Sequence, residues 1–266
     1  MDKIVSLKGV SFSYPCGKRV LSDIDLDILA GEKFGIIGPA GAGKSTLMHH
    51  LNGIIRDQGE VRVCGLRVEP GNEEVIRSRV GVVFQNPDDQ LFCPTVYEDI
   101  AFGPLNLGMH PDEAAGKVAA VMKSMSIGDY RDHSSHHLSY GEKKKVALAT
   151  IMVMEPQVIC LDEPFANLDY GSVFQLIELI EAMPITRIIV SQEILLAFAL
   201  CDRIAVMDRG RILRIGESRE IFADQRLLAS VGLDYRPFLA GIDKCLQQLE
   251  DRNNGFFKEK KIEYRR

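Results

Sequence analysis

Apolar and polar residues alternate over positions 1–35, as in Ile4-Val5-Ser6-Leu7 and Ile24-Asp25-Leu26-Asp27-Ile28. That period of two predicts half-buried antiparallel strands, because successive strand side chains point to opposite faces. The pattern then changes. Short, mostly apolar runs at 34–37, 80–84, 158–161, 187–190 and 204–207 predict strands buried on both faces. Helical stretches fall near 44–52, from about 94 to 128, and over 141–154, where Pro156 stops the last one. Another helix separates the runs at 187–190 and 204–207. Strands alternating with helices predict an α/β fold with a parallel sheet covered on both faces. The stretch 94–128, broken by Gly and Pro, reads as a helical insertion. Residues 242–266 read as helical and then basic, with Lys258, Lys260, Lys261, Arg265 and Arg266. That tail is a solvated terminus or a contact for acidic lipid headgroups.

Composition narrows the function classes. The chain has 266 residues, one large domain or two small ones, at 46% hydrophobic and 26% charged. Those values exclude a disordered chain or a disulfide scaffold. With 37 acidic and 32 basic residues the net charge is −5, which offers no general attraction to nucleic acid. The longest apolar runs, 146–154 and 194–201, reach about half the ~20 residues that span a bilayer. The N-terminus lacks the apolar stretch of a secretory signal. Six cysteines form no C-x-x-C pair and several sit in apolar runs, as reduced buried thiols of a cytosolic protein do. Any membrane role therefore comes through a partner.

Two motifs carry phosphate chemistry. Gly38-Pro39-Ala40-Gly41-Ala42-Gly43-Lys44-Ser45-Thr46 matches G-x-x-x-x-G-K-[ST] between a predicted strand and a predicted helix. Its glycines let backbone N–H groups turn inward around phosphate oxygens, and the helix N-terminus adds partial positive charge. Lys44 would reach the β- and γ-phosphates, and the Ser45 hydroxyl would ligate Mg²⁺. The second motif is the apolar strand 158–161 followed by Asp162-Glu163, at the carboxyl end where α/β sheets place ligands. Asp162 suits the Mg²⁺ shell and Glu163 could polarise an attacking water. An acidic pair after a strand also serves as an ordinary helix cap.

Between these motifs lies Leu138-Ser139-Tyr140-Gly141-Glu142, which resembles the signature motif of ABC-type ATPases, usually written LSGGQ. The resemblance covers about residues 3–225, with the motifs in order. It implies a P-loop NTPase ABC-cassette fold with a mixed sheet core, an N-terminal antiparallel β subdomain and an α-helical subdomain. The implied division is a cassette over 1–225, its helical subdomain at about 87–156, and a C-terminal helical extension over 226–266. By the same resemblance Tyr14 stacks on adenine, and Gln85 is the lid glutamine that touches Mg²⁺ and the attacking water. Ser139, Gly141 and Glu142 belong to the signature that meets a γ-phosphate. Asn167 and Asp169 resemble the D-loop of the dimer interface, and 205–216 the hairpin that closes the cassette.

Residues 85–108 resemble the cobalt/nickel-type ATPases of energy-coupling factor transporters. In that group this segment docks helices of an integral membrane coupling subunit, and Leu91, Phe92 and Phe102 would form the socket. The implied function is ATP-driven import of a small substrate, cobalt or nickel ion, with ATP and Mg²⁺ as cofactors. The implied partners are the coupling subunit, a membrane substrate-binding subunit, and a second cassette, identical or paralogous. Localisation would be peripheral, on the cytoplasmic face of the cell membrane. Alternatives are another ABC importer, a soluble ABC ATPase uncoupled from transport, and a non-hydrolysing nucleotide sensor. Two departures bear on activity. Gln192 stands where the family carries its switch histidine, and keeps a donor and an acceptor without a titratable charge. Tyr140 replaces a signature glycine.

Overall fold

A computed structural model describes residues 2–252. Strands β1 (Lys3–Ser13) and β2 (Arg19–Leu29) pair antiparallel, and Val5, Leu7, Val10, Ile24, Leu26 and Ile28 face inward, as the alternation predicts. On the other side of β1 lies β4 (Gln58–Val63), continued by the short β5 (Leu66–Arg67), so the order is β2-β1-β4-β5. The alternation does not extend to β4, whose Gln-Gly-Glu start is solvent-facing, and this strand is not evident from the sequence. The same holds for the helix α2 (Glu73–Arg79) that follows it.

The second sheet is built from the apolar runs. Its order is β10 (Arg211–Glu217), β9 (Arg203–Asp208), β3 (Lys33–Ile37), β8 (Thr186–Ser191), β7 (Val158–Asp162), β6 (Val80–Val83). All neighbours are parallel except β10, which turns back antiparallel on β9 and makes the sheet mixed. Every residue of β6, β7 and β8 is buried, which explains the apolar runs 80–83, 158–161 and 188–190 within them. Helices α1 (Lys44–Leu51), α6 (Tyr170–Glu181) and α7 (Ile194–Leu200) supply crossovers.

The predicted insertion resolves into α3 (Val96–Asn106) and α4 (Pro111–Ser124), with α5 (Tyr140–Met152) beside them. Thr95 and Glu98 form a capping box on α3, and Ser139 and Glu142 form another on α5. Val96, Ile100, Val118, Met122, Val146 and Ala149 close one core between these helices. Beyond β10, α8 (Ser218–Ala223) and α9 (Gln225–Ser230) contribute Ile221 and Leu228 to that core, and α10 (Arg236–Arg252) follows. The basic residues from Lys258 onward lie outside the described residues.

The thiols differ from expectation in part. Cys160 and Cys201 are buried, but Cys16 and Cys245 are exposed because they lie in a turn and on α10.

Gly81 fixes how α5 meets the sheet. A Cβ there would overlap the Ile151 side chain and stand 3.6 Å from Pro156. Gly81→Ala should therefore cost about 2 kcal/mol by overpacking, seen as a lower urea midpoint with an unchanged m-value.

Candidate nucleotide site

The loop 38–43 joins β3 to α1 and is shaped by close approach. A Cβ on Gly38 would overlap the Met207 carbonyl of β9, and Gly43, at φ 100°, passes Val20 too closely for a side chain. Gly43 is the N-cap of α1 and supplies no capping side chain, while the first turn holds no acid. The N–H groups there are free to meet an anion, with the helix dipole in support. Lys44 is buried and donates from Nζ to the carbonyls of Gly38 at 2.8 Å and Pro39 at 3.1 Å. It also stands 3.8 Å from Glu163 Oε1. Burial lowers its pKa, and the Glu163 and Asp162 carboxylates oppose that shift.

Asp162 ends β7, and its Oδ1 is buried with no hydrogen-bond partner. Desolvation raises its pKa, against the Ser45 side chain and the charges on His49 and Lys44. Glu163 follows in the left-handed region, at φ 42°. Its N–H donates to the Val190 carbonyl at 2.9 Å. Its Oε2 accepts from Ser191 Oγ at 3.2 Å and from the Gln192 backbone N–H at 3.1 Å. Thus Gln192 holds the glutamate through its main chain, and its own side chain is exposed. Glu163 Oε1 is likewise buried without a hydrogen bond. Asp162 Oδ1, on the carboxyl that the Ser45 side chain hydrogen-bonds, is an orphaned hard donor that fits a small divalent cation.

A cleft of about 430 Å³ runs from loop residues 41–46 to Tyr14, Lys18, Arg19 and the Arg209-Gly210 turn. Tyr14 packs edge-on against Phe12 at 4.9 Å, and its hydroxyl lies 3.4 Å from Thr46 Oγ1. Gly210 donates to the Ala42 carbonyl at 3.0 Å and accepts from Ser22 N–H at 2.8 Å. The β9–β10 turn therefore ties the loop to the β1–β2 hairpin. Lys18, Arg19 and Arg209 are cleft residues that sequence reasoning missed. Their signal was the basic pair four and five residues after Tyr14; nothing local marked Arg209.

The remaining sequence candidates lie apart from that cleft. Gln85, just past β6, is exposed, and its carbonyl accepts from Lys144 and Tyr140 of α5. Ser139 caps α5, and Glu142 returns the bond to Ser139 N–H at 2.7 Å while accepting from the Tyr130 hydroxyl at 2.6 Å. Gly141 lies against Ser172 of α6. Asn167 has φ 63°, and Asp169 caps α6 through Ser172. Phe92 is 64% exposed and Phe102 46%, edge to face at 4.9 Å.

A family model described as ABC transporter matches residues 21–166. The chain belongs to the ABC transporter family. It is 42% identical over 236 residues to the energy-coupling factor transporter ATP-binding protein EcfA of Methanothermobacter thermautotrophicus, covering 86% of this chain and 76% of that one. It is 40% identical over 261 residues to the cobalt import ATP-binding protein CbiO of Rhodobacter capsulatus, covering 96% and 92%. Among solved structures, cbiO1 of Clostridium perfringens, part of a transporter complex cbiONQ, superposes with a TM-score of 0.77 at 33% identity, over 91% of this chain and all of that one. A dimeric ATP-binding cassette with ADP and Pi shares the fold, at a TM-score of 0.73 and 24% identity, over 81% of this chain and 99% of that one. The chain is an ABC-type ATP hydrolase with the ABC cassette fold.

Within this ABC ATPase one expected docking residue needs correction. Leu91 is 3% exposed and packs in the core of the helical region, so it cannot meet a partner directly. The residue that shapes this surface is Asp99, absent from the sequence reading. Buried on α3, it accepts from the N–H groups of Phe92 and Cys93, both at 2.9 Å, and so fixes the loop that presents Phe92.

The Asp162 carboxyl has a folded pKa above its unfolded 3.8. The protonated form is the one the fold favours, so its contribution is complete below 3.8 and is lost as pH rises through the folded value. Ionising this carboxyl therefore costs stability. Asp162→Asn should raise the melting temperature of the nucleotide-free protein at pH 7 by about 3 °C, the shift for ~1 kcal/mol in a chain this size. The difference should shrink as pH is lowered towards the unfolded value, as thermal melts across pH will read out.

Proposed function

We propose that this ABC ATPase powers import of a small substrate, cobalt or nickel ion, through an energy-coupling factor transporter. The observation that carries the catalytic part is the meeting of Lys44, Ser45, Asp162 and Glu163 around two buried, unpartnered carboxylate oxygens. Residues 38–46 and the α1 N-terminus cradle the phosphates of ATP, with Tyr14 against the adenine. Lys44 exchanges its two carbonyl acceptors for β- and γ-phosphate oxygens and neutralises charge there. Ser45, Asp162 and Gln85 hold Mg²⁺, which when bound supplies further charge neutralisation. Glu163, braced by Ser191 Oγ and the Gln192 N–H, presents Oε1 as acceptor for the proton of the attacking water. Water oxygen joins the γ-phosphorus, the bond to the β-phosphate oxygen breaks, and ADP and phosphate leave.

Two copies, identical or paralogous, pair head to tail, so that Ser139, Gly141 and Glu142 of one complete the γ-phosphate site of the other. Asn167 and Asp169 line that interface. ATP favours the closed pair and hydrolysis releases it, a population shift that a membrane subunit converts into substrate movement. The separation of Ser139, Gly141 and Glu142 from the phosphate cleft of their own chain supports this pairing. We assign 1–225 to the cassette, about 87–156 to its helical subdomain and 226–266 to a C-terminal extension. The exposed Phe92–Phe102 pair is the contact for the coupling subunit. No helix among the described residues is long and apolar enough to cross a membrane. Similarity to ATP-binding subunits of energy-coupling factor and cobalt importers supports a peripheral place at the cytoplasmic face.

Steady-state ATP hydrolysis tests the site. Glu163→Gln should be inactive, chelation of Mg²⁺ should abolish turnover, and Gln192→His should raise it about tenfold, or ~1.4 kcal/mol of barrier. Equal rates for Gln192→His and the unaltered chain would mean that Gln192 does not limit the reaction. Phe92→Asp should remove co-extraction with a polytopic membrane protein while leaving ATP binding intact. Recovery of the unaltered protein only in soluble complexes would overturn the transport reading.

A further inference from the structure

Tyr140 and Lys144 stand one turn apart on α5 and reach for the same acceptor. The Tyr140 hydroxyl donates to the Gln85 carbonyl at 3.1 Å, and Lys144 Nζ donates to it at 2.7 Å. Lys144 Nζ also lies 3.4 Å from the Glu163 carbonyl. One ammonium therefore joins the main chain of the lid loop to that of the acidic turn. The helix that carries it begins at the Ser139 cap. At the rim, Lys143 pairs with Asp88 at 2.7 Å, so the same helix holds the lid loop at a second point.

Lys144 is only 2% exposed. Burial pushes its ammonium down to about 8, with the Asp162 and Glu163 charges opposing. An apolar chain of equal length would fill this space without desolvating a cation, so packing alone does not account for the charge. Its two acceptors do. Glu163 holds a left-handed conformation, φ 42°, which a non-glycine residue keeps only when its surroundings restrain it. The Val190 carbonyl restrains its N–H, and its own carbonyl accepts from the Ala166 N–H at 3.2 Å and from Lys144 Nζ at 3.4 Å. Of these restraints Lys144 is one that also reaches the Gln85 loop, so without it the Glu163 turn and the carboxylate it carries lose their register with that loop.

We propose that Lys144, assisted by Tyr140, is a positioning residue for ATP hydrolysis, holding the Gln85 loop and the Glu163 turn in one frame and tying both to α5. This rests on Glu163 and Gln85 serving the reaction. It also gives Tyr140 a use within its own chain.

The test is MgATP hydrolysis by the full-length chain carrying Lys144→Met or Tyr140→Phe, beside Glu163→Gln, with ATP affinity and melting temperature measured on each. Lys144→Met should lower kcat about tenfold and Tyr140→Phe about threefold, with KM and ATP Kd within about twofold of the parent. The melting temperature of Lys144→Met should not fall, because the desolvated charge is gone. A packing role gives the reverse, a lower melting temperature at unchanged kcat per folded molecule, and would overturn the inference. If Lys144→Met does not fold, Tyr140→Phe decides alone: reduced kcat at unchanged Kd supports the inference, and parental kcat overturns it. An inactive Glu163→Gln beside fully active Lys144→Met and Tyr140→Phe rejects the tether alone. An active Glu163→Gln rejects the reading of the site and the tether with it.

Discussion

Because β3 pairs in parallel with β8, and β8 with β7, the loops that leave their carboxyl ends emerge side by side. Ile37 stands opposite Ser191, and Asp162 opposite Val190. That register brings Lys44, Glu163 and the Ser191-Gln192 turn within reach of one another although Glu163 lies 119 residues and Gln192 148 residues beyond Lys44 along the chain. Shift one strand by a residue, and every side chain it carries changes face. The chemistry of the site is thus a consequence of sheet register before it is a matter of residue type.

Charge is concentrated where the fold can least solvate it. Lys44, Lys144, Asp162 and Glu163 are all buried, two of each sign. Their mutual attraction offsets desolvation without repaying it in full, as the lowered lysines and the raised Asp162 indicate. Asp162 Oδ1 and Glu163 Oε1 are buried and accept no hydrogen bond. A protein built for stability alone would neutralise them; a phosphate site needs them free for cation and water.

The helical region has its own logic. Capping boxes fix the starts of α3 and α5, and Asp99 fixes the loop before α3. Rigid starts matter because these segments present Phe92 on one side and the signature on the other. Gly81 under Ile151 sets how closely α5 approaches the sheet, so position is transmitted through packing as well as hydrogen bonds.

Much of this was legible in sequence. Period-two alternation located β1 and β2, continuous apolar runs located the buried parallel strands, and the phosphate loop and Asp162-Glu163 stood out by residue type and spacing. Those signals are local: they depend on neighbours along the chain, which a sequence displays. Leu91 and Phe92 are adjacent and both apolar, yet one is core and the other surface, and only packing separates them. Arg209 in the cleft, Asp99 beneath its loop, and the Gln192 main chain on Glu163 were equally hidden. Each depends on contacts between residues far apart in sequence, and those are decided by strand register and close packing, which only the tertiary structure sets.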